Sequence, residues 1–333
     1  MYSSWNNYRD YLEKKYGEPF YRVGVDGGFN CPNRHSDHSG GCSFCDGTGS
    51  VAVYQRTSES AFSRSSDYEE RVAETITTRY ASMESQILKG LEFIKRRYKA
   101  NLAALYFQSW TNTYDTLDNL KKIYDRGLSY YDFRELIVST RPDCLSEEVC
   151  VLLSSYITEK REVWVELGLQ SASDRTLERI KRGHSSKCYL EAAERAKKYN
   201  LGVSSHIILG LPGERRADYR KTIAYVNAFS DAVKIHNLHI PGGTRLCDEF
   251  YSGEVVSASS MRHLEDSAFS LRLLRPDIVV ERLVCDTPMH RLVEPRHFMD
   301  KSLFLCTLDD YMKRNGFRQG DLYSPDKSLK FTV

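Results

Sequence analysis

Long apolar runs are missing from this chain. No stretch approaches the ~18 residues that a membrane-spanning helix requires, which excludes a helical membrane protein. The opening MYSSWNNYRDYLEKKYG has no apolar core of the secretory kind, so the expected location is cytoplasmic. An excess of one charge is missing too. A formal net charge of +2 is too small to announce a nucleic-acid partner by bulk attraction. Only local basic groups keep that partner open, at Lys95, Arg96, Arg97 and Lys99, at Arg179, Lys181 and Arg182, and at Arg215, Arg216, Arg220 and Lys221. Solenoid-period repeats and low-complexity linkers are absent. In the tail from Cys285 onward, eight Lys/Arg face seven Asp/Glu, so bulk charge does not mark it as an RNA-binding extension.

What is present is an ordinary globular balance, 41% hydrophobic and 28% charged, over 333 residues. That length suits one large α/β barrel-type domain or two smaller ones. Apolar runs alternate with helix-period segments from Phe20 to about Ile240, which argues for a parallel sheet wrapped by helices. The predicted strands are Phe20–Val25, Leu102–Phe107, Glu135–Ser139, Val163–Leu167, Gly202–Leu209 and Val233–Ile240. Helical stretches run from Tyr68 to Tyr98, Ser146 to Tyr156, Asp174 to Lys181, Lys187 to Tyr199 and Asp218 to Phe229. A Ser-rich stretch, Thr57 to Ser66, reads as a mobile loop, and Ile278–Leu283 as a further strand in the tail.

Nine cysteines, an odd number in a chain without an export signal, read as reduced thiols and metal ligands rather than disulfides. Cys31, Cys42 and Cys45 follow the first strand with ten and two residues between them. A thiolate triad on one loop suits an iron–sulfur cluster with one iron left open. His35 and His38 lie in the same loop and equally permit a zinc site. Cys144, Cys150, Cys188, Cys247, Cys285 and Cys306 show no close-pair spacing and are expected to pack as small hydrophobes.

In βα arrays the loops after strand C-termini line the site. The second strand ends in Gln108, Ser109, Trp110, Thr111, Asn112 and Thr113, whose amides and hydroxyls suit a polar ligand or an ordinary turn. Ser139, Thr140 and Arg141 follow the third, with Arg141 free to meet a ligand or to pair with Asp143. Glu166, Gly168 and Gln170 share one face of the fourth by alternation. The fifth carries His206 and closes in Leu209-Gly210-Leu211-Pro212-Gly213, where glycine lets a ligand approach the backbone. His236 and His239 are expected on opposite faces of the sixth.

The ordered segments CPNRHSDHSGGCSFC, YFQSWTNTY, STRPDCL, VELGLQSASDRTLERIKRGHS and HIILGLPGE resemble a radical S-adenosylmethionine (SAM) enzyme. More narrowly, they resemble the YhcC/YtqA (MnmL-type) branch, related to the catalytic subunit of Elongator. KIHNLHIPGGTRL and VCDTPMHRLVEPR extend the likeness over most of the chain. The resemblance implies an α/β fold, a partial (β/α)6 TIM-like barrel over residues 20–245, with extensions at 1–19 and 246–333, the latter capping the barrel edge. It implies that Cys31, Cys42 and Cys45 hold a [4Fe-4S] cluster whose open iron binds SAM, giving a 5′-deoxyadenosyl radical that abstracts hydrogen. Gln108, Ser109 and Thr111 would then meet the amino-acid end of SAM, and Ser139, Gln170 and Arg182 its ribose and carboxylate. His206, Leu209 and Gly210 would flank its adenosine, with Glu166 in the same shell, although related barrels can place an acidic ribose ligand where His206 stands.

The branch is associated with trimming the carboxymethylaminomethyl group of the tRNA wobble uridine to aminomethyl, so a tRNA substrate is expected. A small electron donor such as flavodoxin or ferredoxin is implied, and no acetyl-CoA chemistry is expected. Two alternatives stay open: a radical SAM enzyme acting on a peptide or small metabolite, and a zinc-stabilised RNA-binding protein without catalysis.

Overall fold

The computed structural model describes residues 3–34, 40–47, 82–285 and 287–325. The expected mobile loop at Thr57–Ser66, and the expected helix before residue 82, lie outside them. The helices are α1 (Tyr8–Tyr16), α2 (Met83–Tyr98), α3 (Leu117–Ser129), α4 (Glu147–Ser154), α5 (Asp174–Arg179), α6 (Ser186–Lys198), α7 (Arg216–Phe229), α8 (Arg245–Tyr251), α9 (Ser260–Leu273) and α10 (Lys301–Arg314). The strands are β1 (Phe20–Val25), β2 (Leu102–Phe107), β3 (Glu135–Thr140), β4 (Glu162–Gln170), β5 (Gly202–Leu209), β6 (Ala232–Asn237), β7 (Ile240–Pro241), β8 (Val279–Arg282) and β9 (Leu292–Glu294). Hydroxyls at Ser82, Thr116, Ser146, Ser185 and Ser259 cap helix N-termini by accepting first-turn amides.

β1 to β6 pair in chain order, every pair parallel, and β8 adds a seventh strand beside β6. Period-two alternation decides the two faces of this half-barrel. Val23, Leu105, Leu136, Val138, Val165, Leu167, Val203, Ile207, Val233 and Ile235 point outward into one core with Ile87, Leu120, Tyr124, Leu153, Tyr189, Ile223 and Leu264 of the surrounding helices. Burying each such side chain stabilises the fold by about 1.5–3 kcal/mol. The residues between them face the lumen, and many are polar.

α1 closes the floor. Leu12 joins Phe20, Ala104 and Ile137 in a small apolar cluster, and Tyr16 stacks on Phe20 at 4.2 Å. Lys15 Nζ reaches Glu135 at 2.8 Å and Glu162 at 2.7 Å. The N-terminal segment also covers the outer edge of β8, where the Val280 amide donates to Asn6 O at 2.8 Å. Left bare, that edge would offer unpaired backbone groups.

The expected sixth strand, Val233–Ile240, is corrected. β6 ends at Asn237, and Ile240–Pro241 turns away to pair antiparallel with β9. Pro241 has no amide to donate to a central ladder. His239 therefore lies outside the strand, and alternation does not set its direction. Among the described residues no helix is long and apolar enough to cross a membrane.

Leu105 is fully buried between the sheet and its helices. Leu105→Ala should lower unfolding free energy by about 2–5 kcal/mol. Urea denaturation measures this; an unchanged midpoint would mean that Leu105 is not a core residue.

Candidate active site at the mouth of the half-barrel

The cysteine loop leaves the C-terminal end of β1, and neighbouring βα units hold it. The Thr111 amide donates to Asn30 O at 3.2 Å, Ser43 N to Ile180 O at 2.9 Å, and Leu246 N to Ser43 O at 2.9 Å. Arg291 grips Asp46, one residue past Cys45. Arg34 donates to Cys45 O and lies against Gly47, whose φ of 76° and lack of a side chain allow that approach. The three thiols are free, Cys42 buried and the other two half-buried.

Hydrogen-bond donors converge on the Cys42 sulfur, Arg182 Nη1 at 3.6 Å and Asn33 Nδ2 at 3.5 Å. Arg182 is itself buried, donates to Gly168 O at 2.9 Å and leaves Nε without a partner. A Cβ at Gly168 would stand 2.5 Å from Arg182 Nη2, so glycine there is what admits the guanidinium. Gln170 ends β4 in left-handed backbone, φ 66°, beside the same glycine. Arg141 pairs with Asp143 at 2.7 Å and donates to Arg182 O at 2.9 Å. Burial disfavours its charge, but Asp143 and the nearby Cys31 and Cys42 outweigh that and keep it protonated. Burial raises the Cys45 thiol, and nearby Arg34 opposes it.

On the β2 side, Gln108 lies over Gly24, while Ser109 and Thr111 are buried. Asn112 Nδ2 donates to Ser139 O at 2.8 Å, and its Oδ1 is buried without a partner. Gly210, at φ 89°, follows buried Leu209, and its amide donates to the Tyr219 hydroxyl at 3.1 Å.

Ser139, Glu166 and His206 meet deeper in the lumen, with partners that sequence reasoning missed. Glu166 accepts from Arg22 at 2.6 Å, the Tyr106 hydroxyl at 2.6 Å, Ser139 Oγ at 2.7 Å, His206 Nε2 at 3.1 Å, and Lys234. Glu281 binds Arg22 at 2.8 Å and lies 3.5 Å from Lys234. Burial alone would raise the Glu166 carboxyl, but Lys234, Arg22 and His206 hold it well below the usual range. Burial pulls Lys234 down to about 8, which leaves it protonated at neutral pH. Burial and Lys234 keep His206 neutral, so its Nε2 carries the proton that it gives to Glu166. The available signal was a lone charge inside an apolar strand, as at Arg22 and Lys234. A cleft of about 930 Å³ reaches Arg22, Lys234 and Glu281 from the α1 side, and the cysteines do not line it.

With this geometry in hand, comparison identifies the chain. Residues 30–226 match the radical SAM superfamily and residues 230–314 the radical SAM C-terminal domain, so the protein belongs to the radical SAM superfamily. Within it, YhcC of Escherichia coli K12 is 30% identical over 94% of both chains. YtqA of Bacillus subtilis 168 is 28% identical over 94% of this chain and 91% of its own. A protein named tRNA uridine(34) acetyltransferase from Methanocaldococcus infernus is 27% identical over 55% of this chain and 34% of its own. The solved Elp3 of the same archaeon shares the fold, with TM-score 0.62 and 21% identity over 71% of this chain and 59% of that one.

The superfamily uses a [4Fe-4S] cluster and SAM. The donor chemistry fits: three free thiols on one held loop, N–H donors on one sulfur, and a buried orphan at Arg182 Nε. Among the described residues no three His, Cys, Asp or Glu side chains gather around a single metal ion, and His35 and His38 of the zinc alternative lie outside those residues.

Cys42→Ala should lose the brown absorption near ~400 nm and its bound iron while keeping a native circular dichroism spectrum. Retention of a full complement of iron would remove Cys42 from the ligand set. A second prediction concerns Glu214, which accepts from Ser171 Oγ. Burial raises its carboxyl from 4.5 to about 7 against that bond. The native state then holds the proton more tightly than the unfolded chain. Stability from this group is full below pH 4.5 and is lost as pH rises through about 7. Glu214→Gln should shrink the difference in urea midpoint between pH 5 and pH 8; an unchanged difference refutes the assignment.

Proposed function

We propose that this radical SAM enzyme acts on tRNA, trimming the side chain at carbon 5 of the wobble uridine from carboxymethylaminomethyl to aminomethyl. The observation that carries this reading is the match to a protein whose name specifies uridine 34 of tRNA, in a chain whose YhcC likeness runs nearly end to end. The basic groups on α7, Arg216, Arg220 and Lys221, offer further support as phosphate contacts. The reaction would run in the cytoplasm, with flavodoxin or ferredoxin as electron donor.

Cys31, Cys42 and Cys45 would hold the cluster. Bound there with SAM, it supplies a 5′-deoxyadenosyl radical that abstracts hydrogen from a substrate carbon. The chain's own residues place and shield the reactants. Gln108, Ser109 and Thr111 would meet the amino-acid end of SAM, and Gln170 and Arg182 its ribose and carboxylate. Ser139 and His206 already donate to Glu166, so contact with SAM would use their remaining atoms. The Leu209–Gly210 turn would border the adenosine.

The test is anaerobic reconstitution with iron and sulfide, then dithionite, SAM and bulk tRNA, with 5′-deoxyadenosine and modified nucleosides read together by mass spectrometry. The expected outcome is deoxyadenosine with conversion of the wobble uridine. Deoxyadenosine without any nucleoside change would remove tRNA and favour a peptide or small metabolite.

A further inference from the structure

Between the ion layer and the barrel mouth stands His236, two residues beyond Lys234 on β6 and so on the same lumen-facing side. Its ring lies 5.4 Å from that of His206, tilted by 31°. In register it faces Ile208 of β5. Its Nε2 is shut off from solvent and has no hydrogen-bond partner, a state that native proteins seldom leave unmet.

The charges beneath it are already closed on one another. Arg22 and Lys234 meet Glu166 and Glu281, two cations against two anions. His206 commits its Nε2 proton to Glu166. Burial, with Arg282, His206 and Lys234 nearby, holds His236 neutral. His236 itself therefore offers an uncharged hydrogen-bonding group, its Nε2. Among the described residues each cation of the ion layer already meets a carboxylate, and Arg282 is the further charge near His236. A flat, uncharged ring bearing N–H, carbonyl or hydroxyl groups finds an imidazole partner, two ring faces and an apolar Ile208 wall.

We propose that His236 receives a nucleoside through a hydrogen bond between its Nε2 and a ring-edge or ribose group. Two sources share that chemistry, the adenosine of SAM and the wobble uridine of tRNA. The second source rests on the function proposed above; the first does not.

The experiment measures equilibrium binding to the reconstituted full-length protein and its His236→Phe, His236→Leu and His236→Gln variants. The probes are S-adenosylhomocysteine, an anticodon stem-loop RNA with the modified wobble uridine, and the same RNA without a base at that position. Melting temperature selects folded variants, and leucine stands in if phenylalanine does not fold. The expected result is about tenfold weaker binding of one probe to the apolar variants, with partial recovery in His236→Gln, whose amide reaches the Nε2 position. Loss confined to S-adenosylhomocysteine assigns His236 to the cofactor's nucleoside. Loss confined to the base-bearing RNA assigns it to the substrate's. Wild-type affinity of every folded variant for all probes overturns the inference. Failure of the wild type to bind any RNA would count against the tRNA reading alone, because the adenosine arm is read separately.

Discussion

The Glu166 carboxylate is the constraint on which the half-barrel depends. It is 1% exposed and accepts from Arg22 on β1, Tyr106 on β2, Ser139 on β3, His206 on β5 and Lys234 on β6. A bare carboxylate in that position would cost more than the margin of a marginally stable domain. Each donor comes from a different strand, and a one-residue slip of any strand would turn its donor out of the lumen. The network therefore selects one register for most of the sheet at once. Its net contribution to stability is smaller than its geometry suggests, because desolvating these ions offsets much of their attraction. The outward apolar face supplies the stability, and the lumen supplies the uniqueness.

That division also separates two electrostatic compartments. Around Glu166 the charges cancel, with Arg22 and Lys234 against Glu166 and Glu281. Around the cysteine loop, guanidinium groups face sulfur: Arg182 at Cys42, Arg141 near Cys31 and Cys42, and Arg34 near Cys45. The first compartment suits neutral ligand groups and the second suits anionic ones. The first lies deep in the lumen and the second at its mouth.

Much of this was legible because short-range signals carried it. Apolar runs bounded by polar turns gave β1, β2 and β5 with their observed limits, since alternation between a packed outer face and a polar lumen is a local pattern. The cysteine loop and the strand-end motifs were legible for the same reason. The partners of Glu166 were not, because Arg22 lies 144 residues away in sequence and no pattern within one strand announces what stands across a lumen. α1 was missed because its single buried residue, Leu12, leaves almost no apolar stripe, and its role as a floor rests on Lys15 and Tyr16 meeting Glu135 on β3. The bend after Asn237 was signalled by Pro241, but it depends also on Asn237 Oδ1 accepting the distant Cys285 amide.

The cysteine loop shows which way order flows in this site. In a zinc finger the metal supplies the fold, and the ligands lie in a chain that is unfolded without it. Here the loop is bonded to the turn after β2, the end of α5, the start of α8 and the segment before β9, through Asn30, Ser43 and Asp46. Elements of the barrel thus fix Asn30, Ser43 and Asp46, the residues beside the three cysteines. Burial opposes deprotonation of Cys45, and nearby Arg34 favours it. The guanidinium groups near the loop are fixed in turn, Arg34 by Cys45 O, Arg141 by Asp143 and Arg182 by Gly168 O. Three guanidinium groups thus stand anchored beside the cysteine loop, a positive field that favours anionic groups there.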